Sequence, residues 1–168
     1  MEMKPNESIE LIPVKVETKH ILENLMTLYL HDLSEFADDL KININGKFEY
    51  DGVDLYITQD ELKPFFIYLE DDIVGFILLN TGRYVPKGVD FVVNEFFILK
   101  TFRRKGISTL AIKKLFDNNK GKYKIGQLAN NKIAIHFWKK FYKIQEIEYK
   151  ESIEIVDGFE CYSQLFYI

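Results

Sequence analysis

The sequence predicts a mixed α/β domain in which a mostly antiparallel sheet of about seven strands is flanked by about four helices. Three observations carry this. Short runs rich in Val, Ile, Phe and Tyr recur between turn residues. Longer stretches place apolar residues three and four apart, the spacing of a helix face. The two kinds alternate as strand, one or two helices, three strands, helix, strand, helix, two strands. With 168 residues the chain suits one well-cored domain better than two, so residues 1–168 are read as a single domain.

The elements follow in order. "SIELIPV" (8–14) alternates apolar and polar residues, and Pro13 suits an edge strand. "KHILENLMTLYLHDL" (19–33) puts Ile21, Leu22, Leu25, Leu28, Tyr29 and Asp32 along one helical stripe. "SEFADDL" reads as a second short helix capped by Ser34. The Gly, Asn and Asp of "NINGKFEYDGVD" mark an acidic loop that could border a substrate pocket. "PFFIYLEDDIVGFILLNT" (64–81) is a hairpin divided at Asp71 and Asp72, and "VDFVVNEFFIL" (89–99) is apolar on both alternating faces, as in a strand covered on both sides. "KGISTLAIKKLFDNNKG" sets Ile107, Leu110, Ala111, Lys114 and Leu115 on one helix face and stops at Gly121. After a brief strand, "YKIGQLA", comes a helix, "NKIAIHFWKKFY" (131–142). Two alternating strands then flank Asp157-Gly158, the strongest hairpin signal in the chain.

Composition narrows the function classes. No apolar run reaches the roughly 18 residues of a membrane helix, and "MEMKPNESIE" lacks the apolar core of a secretory signal, which points to the cytoplasm. One cysteine, Cys161, excludes an intrachain disulfide, and three scattered histidines give no metal-ligand spacing, so no metal is expected. The net charge of -4 is unevenly spread. Asp32 to Asp72 holds twelve acidic residues against three lysines, whereas Lys100 to Lys143 holds thirteen basic residues against Asp117 alone. Two solvated faces of opposite sign account for this; so does a protein that holds a polyanion at one end and an amine at the other.

The basic half contains "FRRKGIST" (102–109), which joins the long strand to a helix. The first N–H groups of a helix lack intrahelical partners and carry the positive end of its dipole. Gly106 lets an anion approach that backbone, Ser108 is small, and Arg103, Arg104 and Lys105 add charge, so the junction suits a phosphate. The spacing is not that of a nucleotide P-loop. An ordinary helix start with solvated arginines has the same letters.

The order of elements and "RRKGIS" resemble the GCN5-related N-acetyltransferases (GNAT). The family pattern of Arg or Gln, two residues, Gly, one residue, then Gly or Ala falls on Arg103, Gly106 and Ser108, with serine departing from it. "NNKIAIHFWKKFY" is similar to the family's Asn, two residues, Ala and aromatic turn. The stretches "LYLHDLSEF" and "FFILKTFRRKGIS" are most similar to a poorly characterised bacterial group. The resemblance implies a splayed sheet and acetyl-CoA as co-substrate. Its pantetheine arm would pair with the long strand at Phe96, Ile98 and Leu99, and its pyrophosphate would lie on residues Arg103, Arg104, Lys105, Gly106, Ile107 and Ser108. Asn131 matches the family asparagine on the pantetheine side, a role compatible with a plain helix cap.

Acetyl transfer needs an unprotonated amine, an oxyanion donor and a proton for the thiolate. Glu95 stands among Val and Phe, with Val93 and Phe97 expected on its face; burial there would raise its pKa, and the family often places a basic glutamate on this strand. A glutamate paired with a lysine of a neighbouring strand is the other reading. Asp32 and Glu35 are fallback bases or anchors for a substrate amine. The oxyanion donor would be a backbone N–H near Ile98. Where family members often carry the tyrosine that protonates CoA, this chain has Trp138; Tyr142, one turn later, is the replacement or a core residue.

The expected activity is therefore acetyl transfer to a primary amine of a small molecule or peptide. A non-catalytic acyl-CoA binding or sensing module is the alternative, favoured by Trp138. The acidic total argues against nucleic acid as a partner. The aromatic-rich last strands would serve a homodimer surface or the core equally well.

Overall fold

The computed structural model describes residues 8–168. The expectation that no secretory signal is present rests largely on residues 1–7, which lie outside the described residues. Seven strands form one sheet: β1 (Ile9–Pro13), β2 (Leu62–Leu69), β3 (Asp72–Asn80), β4 (Phe91–Ile98), β5 (Lys122–Leu128), β6 (Tyr149–Val156) and β7 (Phe159–Tyr167). Their order across the sheet is β1-β2-β3-β4-β5-β7-β6, and all neighbours are antiparallel except β4 and β5. Helices α1 (Lys19–Leu33), α2 (Val53–Thr58), α3 (Ile107–Asn118) and α4 (Lys132–Ile144) complete the fold. The sequence-based fold class is the observed one. β1 lies at an edge and β4 in the middle.

Each face of the sheet carries its own core. Leu22, Met26 and Leu30 of α1 and Val53 and Tyr56 of α2 pack on Phe66, Phe76, Leu78 and Phe97. On the opposite face Ile107, Ala111, Leu115 and Phe116 of α3 and Trp138, Phe141 and Tyr142 of α4 cover Ile77, Val93, Ile98, Tyr123 and Phe166. Two predicted stripes rotate slightly: Leu28 and Leu110 are exposed, while Met26, Ile112 and Phe116 are buried.

The connection from α1 to β2 differs from the expectation. Ser34 does not open a second helix. Its N–H bonds Leu30 O and its hydroxyl donates to His31 O, so it closes α1, and residues 34–40 continue as turns. The second helix is α2, which begins at Val53, at the very end of the stretch read as loop, and runs past it; it has only six residues, too few for a period to show. The final hairpin turns at Asp157 and Gly158 with φ of 51° and 85°, as a two-residue turn with both central residues left-handed requires.

Two local features of β3 and β4 shape the middle of the sheet. Register shifts between Leu78 and Leu79, which face Glu95 and Val93, so Asn94 is an extra residue in β4, a β-bulge. Side-chain parity reverses there: Val93 joins the α3/α4 core, whereas Phe97 joins the α1/α2 core. The expectation that Val93 and Phe97 share the face of Glu95 is therefore corrected for Val93. At Gly75 of β3, opposite Ile98, an added Cβ would lie 2.0 Å from Phe97 O. Gly75→Ala must push β3 and β4 apart, which should cost about 1–3 kcal/mol and lower Tm by roughly 5 °C; calorimetry against wild type checks it.

Candidate active site

β4 meets β5 only at Phe91↔Tyr123 and Val92↔Lys124. From Val93, just before the bulge, the two strands are no longer paired, and the sheet is open along one side of β4. Leu99 N donates to Val74 O on β3 at 2.9 Å, so strand alternation turns the backbone groups of Phe96 and Ile98 toward the opening. Of the three residues expected to meet a pantetheine arm, Phe96 and Ile98 face the opening, and the N–H of Leu99 is already taken. Aromatic rings of α4 border this space: Phe137 and Trp138 lie 5.9 and 6.2 Å, centroid to centroid, from Phe96.

The β4–α3 junction leads from the opening to a row of free donors. Gly106 is the N-cap of α3 with φ 83°, and nothing lies within 4 Å of where its Cβ would be. Arg104 is also left-handed, at φ 59°. Among the described residues, the backbone N–H groups of residues 104–109 have no hydrogen-bond partner, and no side chain caps α3. Such a cluster of amides suits an anion. Arg103 is engaged elsewhere. Its Nε donates to Ile98 O at 2.7 Å, its guanidinium contacts Asp32 at 2.6 Å, and it stands 5.5 Å over the Phe97 ring. Arg104 is exposed, and Lys105 lies 5.4 Å over the Phe102 ring.

Asp32, expected to receive a substrate amine, is occupied by Arg103 and by Lys100 at 2.9 Å. Partial burial pushes its carboxyl up, but the two cations outweigh this and hold it below the usual range. It ties the last turn of α1 to the junction. Glu35 is exposed.

Glu95 lies on the α1/α2 side of β4. Tyr29 of α1 donates to its Oε2, and Tyr50 donates to its Oε1 at 3.4 Å. Asn94 Nδ2 donates to the Tyr50 hydroxyl at 3.0 Å and reaches Oε1 at 3.5 Å. Tyr56 donates to Asn80 beside them. Burial pushes the Glu95 carboxyl up to about 7, against the opposing effect of the two tyrosine hydroxyls. Burial and the Glu95 charge raise all three phenols above their ordinary value. No lysine pairs with Glu95 among the described residues. Tyr29, Tyr50 and Tyr56 were not singled out in the sequence. The signal was a tyrosine inside the apolar stripe of α1 and the polar pair Asn94-Glu95 inside an apolar strand.

The remaining candidates lie on α4. Asn131 caps it, accepting from Ala134 N at 3.0 Å. Trp138 is buried beside Phe96. Tyr142 is 1% exposed, and its hydroxyl is 3.5 Å from Gln164 Oε1. Since Gln164 is on β7, beyond β5 from β4, this hydroxyl points away from the opening. Among the described residues no group of His, Cys, Asp and Glu could hold a metal ion, and no helix is long and apolar enough to cross a membrane.

The state of Glu95 has a consequence for stability. Its folded pKa lies above its unfolded value, so the folded protein binds the proton more tightly and loses stability as pH rises from about 4 to about 7. Glu95→Gln removes that loss. The variant should match wild type near pH 4 and exceed it at pH 8, by on the order of 1–3 kcal/mol, in paired urea titrations at the two pH values.

The comparisons with known proteins agree with this geometry. The Acetyltransferase (GNAT) family model matches residues 23–142. No protein of curated function matches in sequence. Among solved structures, an acetyltransferase from Thermus thermophilus superposes with TM-score 0.67 at 14% identity, covering 96% of this chain and 97% of that one. NAA60 of Arabidopsis thaliana, in complex with acetyl-CoA, gives 0.59 at 14% identity, covering 96% and 99%. The aminoglycoside acetyltransferase AAC(6')-Ib, in complex with coenzyme A, gives 0.65 at 12% identity, covering 95% of each chain. At such identities the likeness is one of fold. The family match spans most of the chain, from the first helix to Tyr142, and includes β4, the junction and α4: the chain belongs to the acetyltransferase (GNAT) family.

Proposed function

We propose that this protein is an acetyl-CoA dependent N-acetyltransferase that acts on a primary amine of a small molecule or peptide by direct transfer. The observation that carries this reading is the position of β4. One side of the strand opens beside Phe96 and Ile98 and leads to the free amides of residues 104–109, while Glu95 sits on one face with a pKa raised to about 7. The residues fit the co-substrate. An extended arm can bond the open side of β4, a pyrophosphate can rest on the junction amides, and Arg104 and Lys105 supply charge. Asn131 caps α4 through Oδ1, and among the described residues its Nδ2 has no partner and is left for the arm, which Phe96, Phe137 and Trp138 would shield.

When bound, acetyl-CoA supplies an acyl group activated as a thioester. The chain's own residues do the rest. The N–H of Ile98 faces the opening, where an oxyanion would form. Glu95 takes the amine proton, and a pKa near 7 matches that task. Cys161 is buried on β7, with β5 between it and the strand of Glu95, which supports direct transfer over an acyl-enzyme. With Asp32 engaged, Glu35 and the acidic 38–60 segment are left to attract a cationic acceptor. The name of the aminoglycoside enzyme with this fold keeps polyamines of that kind among the acceptors to test. Kinship with the bacterial group, a cytoplasmic location and function as one domain belong to the same proposal. So does a homodimer, supported by Ile153 and Ile155, exposed at 58% and 70% on the edge strand β6.

One observation favours a binding or sensing module instead. Tyr142 faces β7 and Trp138 stands at the opening, so neither brings an acidic hydroxyl to the leaving sulfur. A thiol of pKa about 8.5 can leave without one.

Two measurements separate the readings. Acetyl-CoA should raise the Tm of wild type and leave an Arg104→Glu, Gly106→Glu double variant at its own baseline. Across a panel of amines, wild type should release free thiol at pH 8, and Glu95→Gln should lower kcat by about 10²-fold or more. Stabilisation without turnover for any amine supports the sensing module, and no stabilisation at millimolar acetyl-CoA contradicts both.

A further inference from the structure

The two oxygens of Glu95 are not equivalent. Oε2 accepts a hydrogen bond from Tyr29, which comes from the middle of α1 and whose ring is packed edge-on against Phe76 and Phe97 at 5.7 and 5.9 Å. Oε1 has looser company. The Tyr50 hydroxyl reaches it only at 3.4 Å and also accepts from Asn94 Nδ2 at 3.0 Å, so Tyr50 keeps a partner if it leaves Oε1. Tyr50 belongs to the long connection between α1 and β2, whereas Tyr29 is fixed by a fifteen-residue helix.

We propose that Tyr29 is the positioning residue of Glu95: it holds Oε2, fixes the carboxylate plane and turns Oε1 toward the acceptor amine, with Tyr50 as the exchangeable partner that an amine or water displaces. The assignment rests on the reading of Glu95 as proton acceptor. The acceptor ammonium gives its proton to Oε1, the nitrogen keeps the electron pair with which it attacks, and the carboxylic acid so formed returns the proton to water. Tyr29 donates throughout and does not lose its own proton, because burial and the Glu95 charge hold its phenol well above its ordinary pKa.

The elements packed around Glu95 bring mostly neutral groups. α1 contributes Tyr29, the α1–β2 connection Tyr50, α2 Tyr56, and β4 the neutral Asn94. Arg103 stands over the Phe97 ring on the same side, with its charge met by Asp32. The two tyrosine hydroxyls are thus the groups that favour the ionised carboxylate, and the well-seated one should matter more.

The test needs no acceptor. In protein labelled with ¹³C at glutamate carboxyls, the Glu95 resonance is identified by its loss in Glu95→Gln and titrated in wild type, Tyr29→Phe and Tyr50→Phe. The assignment predicts that Tyr29→Phe raises the Glu95 midpoint by about one pH unit and Tyr50→Phe raises it by less. An equal or larger rise in Tyr50→Phe overturns it. If Tyr29→Phe does not fold, Tyr50→Phe decides alone: a rise below about half a unit supports the assignment and a larger one overturns it. For any amine that is turned over, the acid limb of the kcat/KM profile should move with the same order of variants, a change that loss of packing would not produce. Because the titration reads the resting protein, it stands even if Glu95→Gln shows that this carboxyl is not the base.

Discussion

A single extra residue in the central strand organises the site. With Asn94 bulged out of the β3–β4 ladder, the residues before and after it point to opposite faces from those simple alternation would give. Glu95 and Phe97 turn to the α1/α2 side, while Phe96 and Ile98 turn to the α3/α4 side. Just before the bulge β4 loses its pairing with β5. One local irregularity thus coincides with both a carboxylate on one side of the strand and, on the other, a stretch of β4 that β5 does not pair, where Arg103 holds only the Ile98 carbonyl. Gly75 allows β3 to follow β4 closely enough to hold this shape.

The two halves of the site are joined by α1. Tyr29 reaches Glu95, and Asp32, one turn later, holds Arg103 and Lys100 at the β4–α3 junction. Both ion pairs bridge elements far apart in sequence; the one to Arg103 is partly buried and counts for more than the one to the exposed Lys100. Arg103 also closes on Ile98 O at the end of β4. The uneven charge of the chain has a structural share as well as an electrostatic one: Lys100 and Arg103 of the basic half bind Asp32 of the acidic one, and Arg104 and Lys105 border the free amides.

Long periodic elements were legible in the sequence. The first helix falls on Lys19–Leu33, as its apolar spacing gives, and the Asp-Gly turn, the edge strand with Pro13 and the central strand all lie where expected. What was not legible depends on single residues or on tertiary contact. Ser34 has the letters of an N-cap but serves as the end of a helix, and the six residues of α2 are too few to show a period. The bulge at Asn94 broke the alternation on which the neighbours of Glu95 were assigned. The pairing of Asp32 with Arg103 spans 71 positions, and no local pattern announces such a contact. The same holds for Tyr29, Tyr50 and Tyr56, which three separate segments bring to one carboxylate or its neighbour.

The central claim is that the parted edge of β4 and the junction amides form one continuous surface for coenzyme A. Amide hydrogen exchange, followed residue by residue by NMR with and without saturating coenzyme A, tests it most directly. The account predicts new protection at Phe96 and Ile98 and across residues 104–109, with β6 and β7 unchanged. Protection confined to other strands, or none at all, would contradict it.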